Sequence, residues 1–232
     1  MSSIVSLKNV GVSYGAHKVL SDVNLDILDD DFIGVIGPNG GGKTTLVKAI
    51  MGDVPHEGDI IYDSSLTTSR GIRNIGYLPQ LNGFDRLFPI SVADVVLSGL
   101  QVKKGILGRY SHSDKMLACD WMKRTGIESV ADKPIGEISG GQMQRALLCR
   151  AVISEPKMLI LDEPTSFVDR NFERELYLIL QQLSKSMAIV MVSHNIGTIT
   201  SVVKSIVYVN GTVHNHGSNV ITPEQLENYH LV

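Results

Sequence analysis

Cysteine, aromatic side chains and long apolar runs are all scarce in this sequence. The 232 residues include two cysteines, Cys119 and Cys149, and only 6% aromatic residues. Both cysteines lie in segments that the sequence predicts to be helical, and their spacing matches no metal-ligand pattern. We therefore expect two reduced thiols, and neither a disulfide framework nor a cysteine metal site. The length suits one α/β domain, or one domain with a sizeable insertion.

No apolar run approaches the length that a helix needs to cross a bilayer. The longest runs, such as residues 188–192, have the length of one strand. Residues 1–10 also lack the basic and apolar regions of a signal peptide, so we expect the protein to stay on the side of the membrane where it is made. A net charge of −3 offers no basic field to nucleic acid, and we expect no nucleic-acid partner.

Strand-like and helix-like segments alternate in the first and last thirds of the chain, at residues 1–85 and 155–232. Such alternation is typical of a largely parallel sheet with helices on its faces. Residues 86–154 have a different pattern and contain predicted helices, with Ser91 and Ser113 as the expected N-caps of the first two. We therefore predict a single α/β domain, with a core formed by the two outer segments and a helical subdomain formed by the middle one.

A glycine-rich loop follows the short apolar strand predicted at residues 32–36. Glycines allow backbone N–H groups to converge on phosphate oxygens, and the helix that follows directs its positive end toward the same place. Lys43 can then reach the β- and γ-phosphates of a nucleotide, and Thr44 can hold Mg²⁺. An incidental turn is the alternative, but the strand before the loop and the helix after it argue against that interpretation. The loop residues, which fit the pattern G-x-x-x-x-G-K followed by Ser or Thr, are Gly37, Pro38, Asn39, Gly40, Gly41, Gly42, Lys43 and Thr44, with Thr45 next.

Two acidic residues, Asp162 and Glu163, follow the apolar strand predicted at residues 158–161. In parallel sheets, ligands bind beyond the carboxyl ends of the strands. There Asp162 would support Mg²⁺, directly or through water, and Glu163 would orient or deprotonate the water that attacks the γ-phosphate. The alternative, two solvated acids at a strand end, does not account for the phosphate loop earlier in the chain.

A second anion-binding device opens the last predicted helix of the middle segment. The run Ser139-Gly140-Gly141-Gln142 combines a hydroxyl, two glycines and a helix N-terminus. One nucleotide already has a cradle at residues 37–44, so a second cradle requires a second phosphate. A two-fold dimer would supply it, because the loop of each chain could then close the site of the other. The alternative is an ordinary N-cap with a flexible turn.

Three further side chains occupy positions suited to a nucleotide site. Gln80 follows a predicted strand and a proline, and its amide could reach Mg²⁺ or water. His194 follows the strand predicted at residues 188–192 and could contact the γ-phosphate. Tyr14 lies in an early loop, where its ring could stack on adenine. Taken alone, each residue is better explained by a structural role than by a role in a binding site. Only the order of the three residues along the chain supports a nucleotide site.

That order resembles the complete motif series of the ATP-binding cassette family. The resemblance covers nearly the whole chain and implies a P-loop NTPase fold: a RecA-like core with a parallel sheet, an antiparallel β subdomain, and a helical subdomain that carries the signature loop, residues 138–142. It also implies ATP hydrolysis, with ATP and Mg²⁺ as cofactors. The implied catalytic residues are Lys43, Glu163 and His194, and the implied metal ligands are Thr44, Gln80 and Asp162. The motifs that carry the resemblance are Tyr14, residues 37–45, Gln80, residues 138–142, residues 159–164, residues 166–169 and His194.

The resemblance also implies an assembly. Two cassettes would face each other head to tail with two ATP molecules between them, so that residues 139–142 contact the nucleotide of the partner and Asp169 communicates between the sites. The pair would power an integral membrane permease, and the chain would lie on the cytoplasmic face of the membrane through that partner. Residues 81–92 correspond to the part of the family's groove that receives the permease, although core packing would also explain their apolar side chains.

Two residues depart from the usual family pattern. Ile138 replaces leucine at the start of the signature loop, which is a small change of shape. Phe167 stands where a small residue is usual. We expect its ring to alter packing at the dimer interface without preventing hydrolysis, because every catalytic position is filled.

A single cassette without a fused membrane domain resembles a subunit of a bacterial importer. Gly41, where serine is commoner, and residues 105–115 resemble the subunits of zinc, manganese and iron uptake systems. These features predict import of a divalent transition metal, with an extracytoplasmic metal-binding protein as an indirect partner. The alternatives are an ATPase subunit of an exporter or of an importer for another substrate, and a soluble cassette ATPase of DNA repair or chromosome organisation. The last would need a long coiled-coil insertion, which residues 86–154 lack.

Overall fold

The computed structural model describes residues 2–80, 89–105, 108–166 and 169–220. These residues form two sheets. The strands are β1 (Ser3–Tyr14), β2 (His17–Leu28), β3 (Phe32–Ile36), β4 (Glu57–Tyr62), β5 (Ile75–Leu78), β6 (Met158–Asp162), β7 (Ala188–Val192), β8 (Ser205–Asn210) and β9 (Thr212–Asn215). One sheet is antiparallel, with the order β2-β1-β4, and the other has the order β5-β6-β7-β3-β8-β9 and is parallel except for β9.

The helices follow the strands in the alternation that the sequence predicts. They are α1 (Lys43–Met51), α2 (Val92–Ser98), α3 (Gln101–Lys104), α4 (His112–Arg124), α5 (Gly140–Val152), α6 (Arg170–Leu183) and α7 (Ile196–Ile199), with short 3₁₀ turns at Ser64–Leu66, Glu128–Val130 and Ile135–Glu137. Helices α2 to α5 lie between β5 and β6 in the chain. The predicted fold class, with a parallel core sheet, an antiparallel sheet and a helical segment, is confirmed.

The central strands β3, β6 and β7 are buried along their whole length. This burial is expected for parallel strands that are covered on both faces. Ile33 and Ile160 join an apolar cluster with the antiparallel sheet and α1, whereas Phe32 and Leu159 join a second cluster with α2, α4, α5 and α6. The helical segment therefore shares its apolar core with the sheet.

The start of α4 differs from the prediction. Ser111, not Ser113, is the N-cap, because Ser111 and Asp114 form a capping box in which each side chain accepts a hydrogen bond from the backbone N–H of the other. Ser91 caps α2 as predicted, with its hydroxyl accepting a hydrogen bond from the N–H of Asp94. The capping partner three residues along the chain is thus what distinguishes Ser111 from the serine beside it.

Both cysteines are free thiols. Cys149 is buried in α5, with its Sγ atom 3.2 Å from the hydroxyl of Thr125. Burial raises the pKa of the Cys149 thiol to about 12, so this thiol stays protonated and unreactive at neutral pH.

Across the described ranges, no helix combines the length and the apolar character that a membrane span requires.

Glycines allow β5 and the end of α2 to approach the backbone of α5. Helix α2 ends at Ser98, and a Cβ atom at the next residue, Gly99, would lie 2.1 Å from Arg150 O. In β5, a Cβ atom at Gly76 would lie 2.3 Å from Ala151 O. The last turn of α5 is therefore packed directly against both elements.

Gly76→Ala should destabilise the protein, because the added carbon would press on a backbone carbonyl that cannot move as a side chain could. Overpacking of this kind costs about 1–3 kcal/mol, and contact with backbone favours the upper end. Urea denaturation measures the difference in unfolding free energy. Gly197→Ala is the control, since the nearest atom to its added carbon would be 3.7 Å away. Equal stability of the two variants would contradict the close packing of β5 on α5.

Candidate nucleotide-binding and hydrolytic site

The phosphate loop, residues 37–45, leaves β3 and leads into α1. Gly37 has a φ of 149°, and Gly42, the N-cap of α1, has a φ of 101°, values that favour glycine. A Cβ atom at Gly37 would also lie 2.1 Å from Val209 O. The glycines thus bring the loop close against β8 and shape the N-terminus of α1 as a place for an anion.

Gly41 is held by the hairpin of β8 and β9. Its carbonyl accepts a hydrogen bond of 2.9 Å from the N–H of Gly211, whose own carbonyl accepts one of 2.8 Å from the N–H of Ser21. A Cβ atom at Gly41 would lie 2.7 Å from Val209 O and 3.1 Å from Pro38 O. The commoner serine would not fit here without movement of the hairpin, which accounts for glycine at this position.

Lys43 folds back over the phosphate loop. Its Nζ atom donates hydrogen bonds of 2.8 Å to Gly37 O and to Pro38 O. Burial lowers the pKa of the Lys43 ammonium, while the negative charges of Glu163 and Asp162 oppose that shift. The ammonium is therefore held inside the cleft, next to two carboxylates, by weak carbonyl partners that phosphate oxygens could replace.

Thr44 and Asp162 meet between α1 and the end of β6. Thr44 Oγ1 donates a hydrogen bond of 3.3 Å to Asp162 Oδ2, and Asp162 is only 2% exposed. Burial raises the pKa of the Asp162 carboxyl, and the hydrogen bond from Thr44 lowers it. A hydroxyl and a carboxylate in contact are hard oxygen ligands of the kind that Mg²⁺ prefers. These residues therefore fit that cation.

Glu163 has several polar contacts in the cleft. Gln80 Nε2 donates a hydrogen bond of 2.8 Å to Glu163 Oε2, and His194 Nε2 contacts Oε1. The hydroxyl of Ser166 lies 3.4 Å from Oε2. The backbone of Glu163 has a φ of 54°, and its N–H donates a hydrogen bond of 3.0 Å to Val192 O in β7. The carboxylate is thus supported from several elements at once.

Lys43, Thr44, Gln80, Glu163 and His194 line one cleft of about 410 Å³ at the carboxyl edge of the parallel sheet, and Asp162 is buried beside Thr44 at its edge. A smaller cavity of about 150 Å³ continues from Glu163 and His194 toward Ser166 and Asn195. That volume is enough for ordered water beside the carboxylate. The larger cleft is lined by Val19, Asn39, Gly40, Gly42, Lys43, Thr44, Thr45, Gln80, Glu163 and His194.

The residues of the signature loop do not line this cleft in the described part of the chain. Ser139 caps α5, with its hydroxyl accepting a hydrogen bond from the N–H of Gln142 while Gln142 Oε1 accepts one from the N–H of Ser139. Gly140 and Gly141 form the first turn of α5 behind it. Tyr14, at the end of β1, is 48% exposed and is not a cleft residue either. Within one chain, the two anion-binding devices therefore remain apart.

Gln144 is a contact residue that the sequence analysis did not identify. Its Nε2 atom donates hydrogen bonds to Glu163 O at 3.3 Å and to Pro164 O at 2.6 Å. A glutamine near the start of a helix is typically exposed, so the sequence pattern gave no indication that Gln144 is buried and contacts the turn after β6. Parts of three predictions lie outside the described residues. They are Phe167, residues 81–88 of the predicted permease contact, and residues 106–107 of the segment that resembles metal-uptake subunits.

Comparison with known proteins agrees with this geometry. Among solved structures, a dimeric ATP-binding cassette in a post-hydrolysis state, bound to ADP and Pi, aligns with a TM-score of 0.78 and 25% identity over 94% of this chain and 100% of that chain. The manganese transport system ATP-binding protein MntB of Bacillus subtilis is 39% identical over 193 residues, which are 82% of this chain and 76% of the relative. The zinc uptake system ATP-binding protein ZurA of Listeria innocua is 33% identical over 223 residues, which are 94% of this chain and 87% of the relative. Since a family model for ABC transporters also matches residues 20–166, the chain belongs to the ABC transporter family.

Proposed function

We propose that this chain binds and hydrolyses ATP as the cassette subunit of an ABC transporter. The observation that carries the proposal is the meeting of two sets of residues in one cleft. The phosphate loop contributes Lys43 and Thr44, and the edge of β6 contributes Asp162 and Glu163. A phosphate loop alone would support binding only. The two acids add a metal ligand and a group that can act on water, which hydrolysis requires.

The cleft residues have distinct roles in this reaction. Lys43 neutralises charge on the β- and γ-phosphates while the loop N–H groups hold their oxygens. Glu163 accepts a proton from, or orients, the attacking water. His194 contacts Glu163 and braces the γ-phosphate. Tyr14, whose exposed ring lies outside the cleft lining, stacks on adenine. Water forms the new P–O bond and ADP leaves with the old one, so positioning and charge neutralisation suffice and no covalent intermediate with the protein is needed.

We also propose that Mg²⁺ accompanies ATP, held by Thr44, Gln80 and Asp162. When bound, the cation supplies positive charge at the β- and γ-phosphate oxygens. Gln80 already directs its Nε2 atom to Glu163, so its carbonyl oxygen is the atom suited to a cation. Asp162 and Glu163, adjacent in the chain, thus divide their tasks between the metal and the water.

Glu163→Gln should stop hydrolysis while ATP binding persists, because glutamine keeps the size and hydrogen bonding of the side chain but lacks the carboxylate. Loss of a general base typically costs about 10²–10⁴-fold in rate. Single-turnover hydrolysis in Mg²⁺-ATP measures the rate, and size-exclusion chromatography detects the ATP-bound dimer that should accumulate. Asp162→Asn should instead weaken Mg²⁺ dependence and ATP binding together.

Glu155→Gln is the matched control for this experiment. Glu155 is an exposed glutamate with a φ of 49°, close to the 54° of Glu163, so both variants change the same side chain on a similar backbone. Glu155→Gln should hydrolyse ATP at the parent rate. Hydrolysis at the parent rate by Glu163→Gln would exclude Glu163 as the residue that acts on water.

We propose further that two copies of the chain close on two ATP molecules. Ser139 lies outside the cleft of its own chain and is exposed, so the signature loop can reach the phosphates of a partner. The N-terminus of α5 adds its positive end to that contact. The dimeric cassette that the chain resembles supports this two-fold unit. Residues 1–85 and 155–232 would then form the nucleotide-binding core, and residues 86–154 the helical subdomain that presents the loop.

Ser139→Arg should abolish hydrolysis and leave ATP binding to the isolated chain intact, because the arginine would occupy the space of the partner's phosphate. Nucleotide titration and steady-state hydrolysis measure the two properties. Ser111→Arg is the control, since Ser111 and Ser139 are both N-caps with a capping box and both variants lose the cap. Ser111→Arg should remain active. If Ser139→Arg lost ATP binding to the single chain, the loop would act within its own chain and the dimer proposal would be wrong.

We propose that the cassette powers import of a divalent transition metal, zinc, manganese or iron, through an integral membrane permease. The manganese and zinc transport proteins that the chain resembles support this cargo. An extracytoplasmic metal-binding protein would deliver the metal to the permease. The chain itself would lie on the cytoplasmic face of the membrane, where the permease would hold it.

Deletion of the gene should slow growth in metal-limited medium, and excess zinc, manganese or iron, each supplied separately, should identify the cargo by restoring growth. The reason is that uptake routes of lower affinity can replace the transporter at high metal concentration. The parent gene should complement the deletion, and the Glu163→Gln gene should not. Rescue only by an amino acid, a sugar or haem would contradict a metal cargo and leave the cassette assignment intact.

A further inference from the structure

Gln144 in α5 is a buried polar residue that the proposed reaction does not use. It is 2% exposed, and its Nε2 atom donates hydrogen bonds to Glu163 O at 3.3 Å and Pro164 O at 2.6 Å. Helix α5 begins at the signature loop, whereas Glu163 and Pro164 follow β6. One side chain therefore connects the helix of the signature loop to the backbone of the proposed base.

The two neighbours of Gln144 determine the orientation of its amide. Both are carbonyl oxygens, to which only the NH₂ end can donate. The Oε1 atom is buried and has no hydrogen-bond partner among the residues that the structure describes. A buried acceptor without a partner is unfavourable, and an apolar side chain of the same shape would avoid it. The contribution of Gln144 is therefore its donor, directed at the turn after β6.

The backbone that receives this donor is itself strained. Glu163 has a φ of 54°, a region that side chains other than glycine occupy at a cost. Its N–H is bonded to Val192 O at 3.0 Å, and its carbonyl accepts a hydrogen bond of 3.2 Å from the N–H of Ser166. Gln144 adds a second donor to that carbonyl. Because the side chain projects from this backbone, these bonds determine where the Glu163 carboxylate lies.

The next residue of α5 contacts the other end of the same loop. Arg145 Nη2 is 3.5 Å from Asp169 Oδ2, and the Arg145 guanidinium carbon lies 4.0 Å above the centre of the Phe172 ring. Arg145 Nη1 also donates a hydrogen bond of 2.9 Å to Thr125 O. Two neighbouring residues of α5 thus contact both ends of the connection between β6 and α6. Gln144 contacts its first residues, and Arg145 contacts its last residue, Asp169.

We propose that Gln144 is a positioning residue, which makes the orientation of Glu163 depend on the placement of the signature loop in the same chain. When that loop engages the nucleotide of the partner, displacement of α5 moves the Gln144 donor relative to residues 163 and 164. ATP hydrolysis in the cleft of one chain is thereby linked to engagement of that chain's signature loop with the nucleotide in the cleft of the partner. The inference rests on the proposed hydrolysis at Glu163 and adds a control of that reaction by the second chain.

Gln144→Met tests this role, since methionine keeps the length of the side chain and removes the donor. Misplacement of a reacting group by about 1 Å can cost about 100-fold in rate, so we expect kcat for ATP hydrolysis to fall between about 10- and 100-fold. KM and the Kd for ATP should stay near the parent values, because the phosphate loop is untouched. The rate is expressed per ATP-binding site counted by titration, so that unfolded protein does not contribute. Gln144→Glu should lose at least as much, since its carboxylate would face two carbonyl oxygens.

A double variant separates positioning from a general structural role. If Gln144 acts only through Glu163, Gln144→Met combined with Glu163→Gln should hydrolyse ATP at the residual rate of Glu163→Gln alone. Multiplication of the two losses would show independent effects and overturn the proposal. Gln181→Met is the control, because Gln181 is exposed in α6, and it should have the parent rate.

The outcomes distinguish this inference from the function on which it rests. Parent-level kcat per site in Gln144→Met, with Glu163→Gln inactive, would overturn the role of Gln144 and leave the proposed function in place. A lower Tm with parent-level kcat per site would do the same, because Gln144 would then be structural only. Parent-level hydrolysis by Glu163→Gln would overturn the role of Glu163 in the proposed reaction itself.

Discussion

The register of the strands on either side of β7 is the constraint on which the cleft depends. Asp162 in β6 and Val35 in β3 both pair with Val192, so the strands that lead to Glu163 and to the phosphate loop end at the same level. A slip of one residue would turn Asp162 to the opposite face of the sheet. The contact between Thr44 and Asp162 would then be lost. The long apolar strands therefore serve the site by fixing this register.

Burial makes the charged groups of the cleft responsive to a nucleotide. It lowers the pKa of Lys43 and raises the pKa of Asp162, so the charged form of each is less favourable than in water. The present partners of Lys43 are the neutral carbonyls of Gly37 and Pro38. Phosphate oxygens would form stronger, charge-assisted hydrogen bonds with the same ammonium. Because the group is already desolvated and fixed in the cleft, little of that gain would be spent on ordering it.

The sequence predicts the fold and the cleft where a local pattern and a chemical requirement coincide. The buried strands β6 and β7 contain continuous apolar runs, at residues 158–161 and 188–192. The glycine spacing of the phosphate loop follows from the close approach of its backbone to β8. The role of Gln144 is different, because it rests on hydrogen bonds to a turn 19 and 20 residues away. Periodicity cannot detect such a bond. The N-cap at Ser111 was missed for a related reason, since two serines in one turn differ only in the partner that each reaches.

The link through α5 depends on the different distance dependence of polar and apolar contacts. Helix α5 shares an apolar cluster with the sheet, and packing of this kind tolerates small displacements with gradual loss of energy. A hydrogen bond weakens steeply as its angle and length depart from the optimum. The bond of 2.6 Å from Gln144 to Pro164 O would therefore change before the core does. A small movement of α5 on engagement of a partner would thus reach the Glu163 backbone through Gln144 while the fold stays intact.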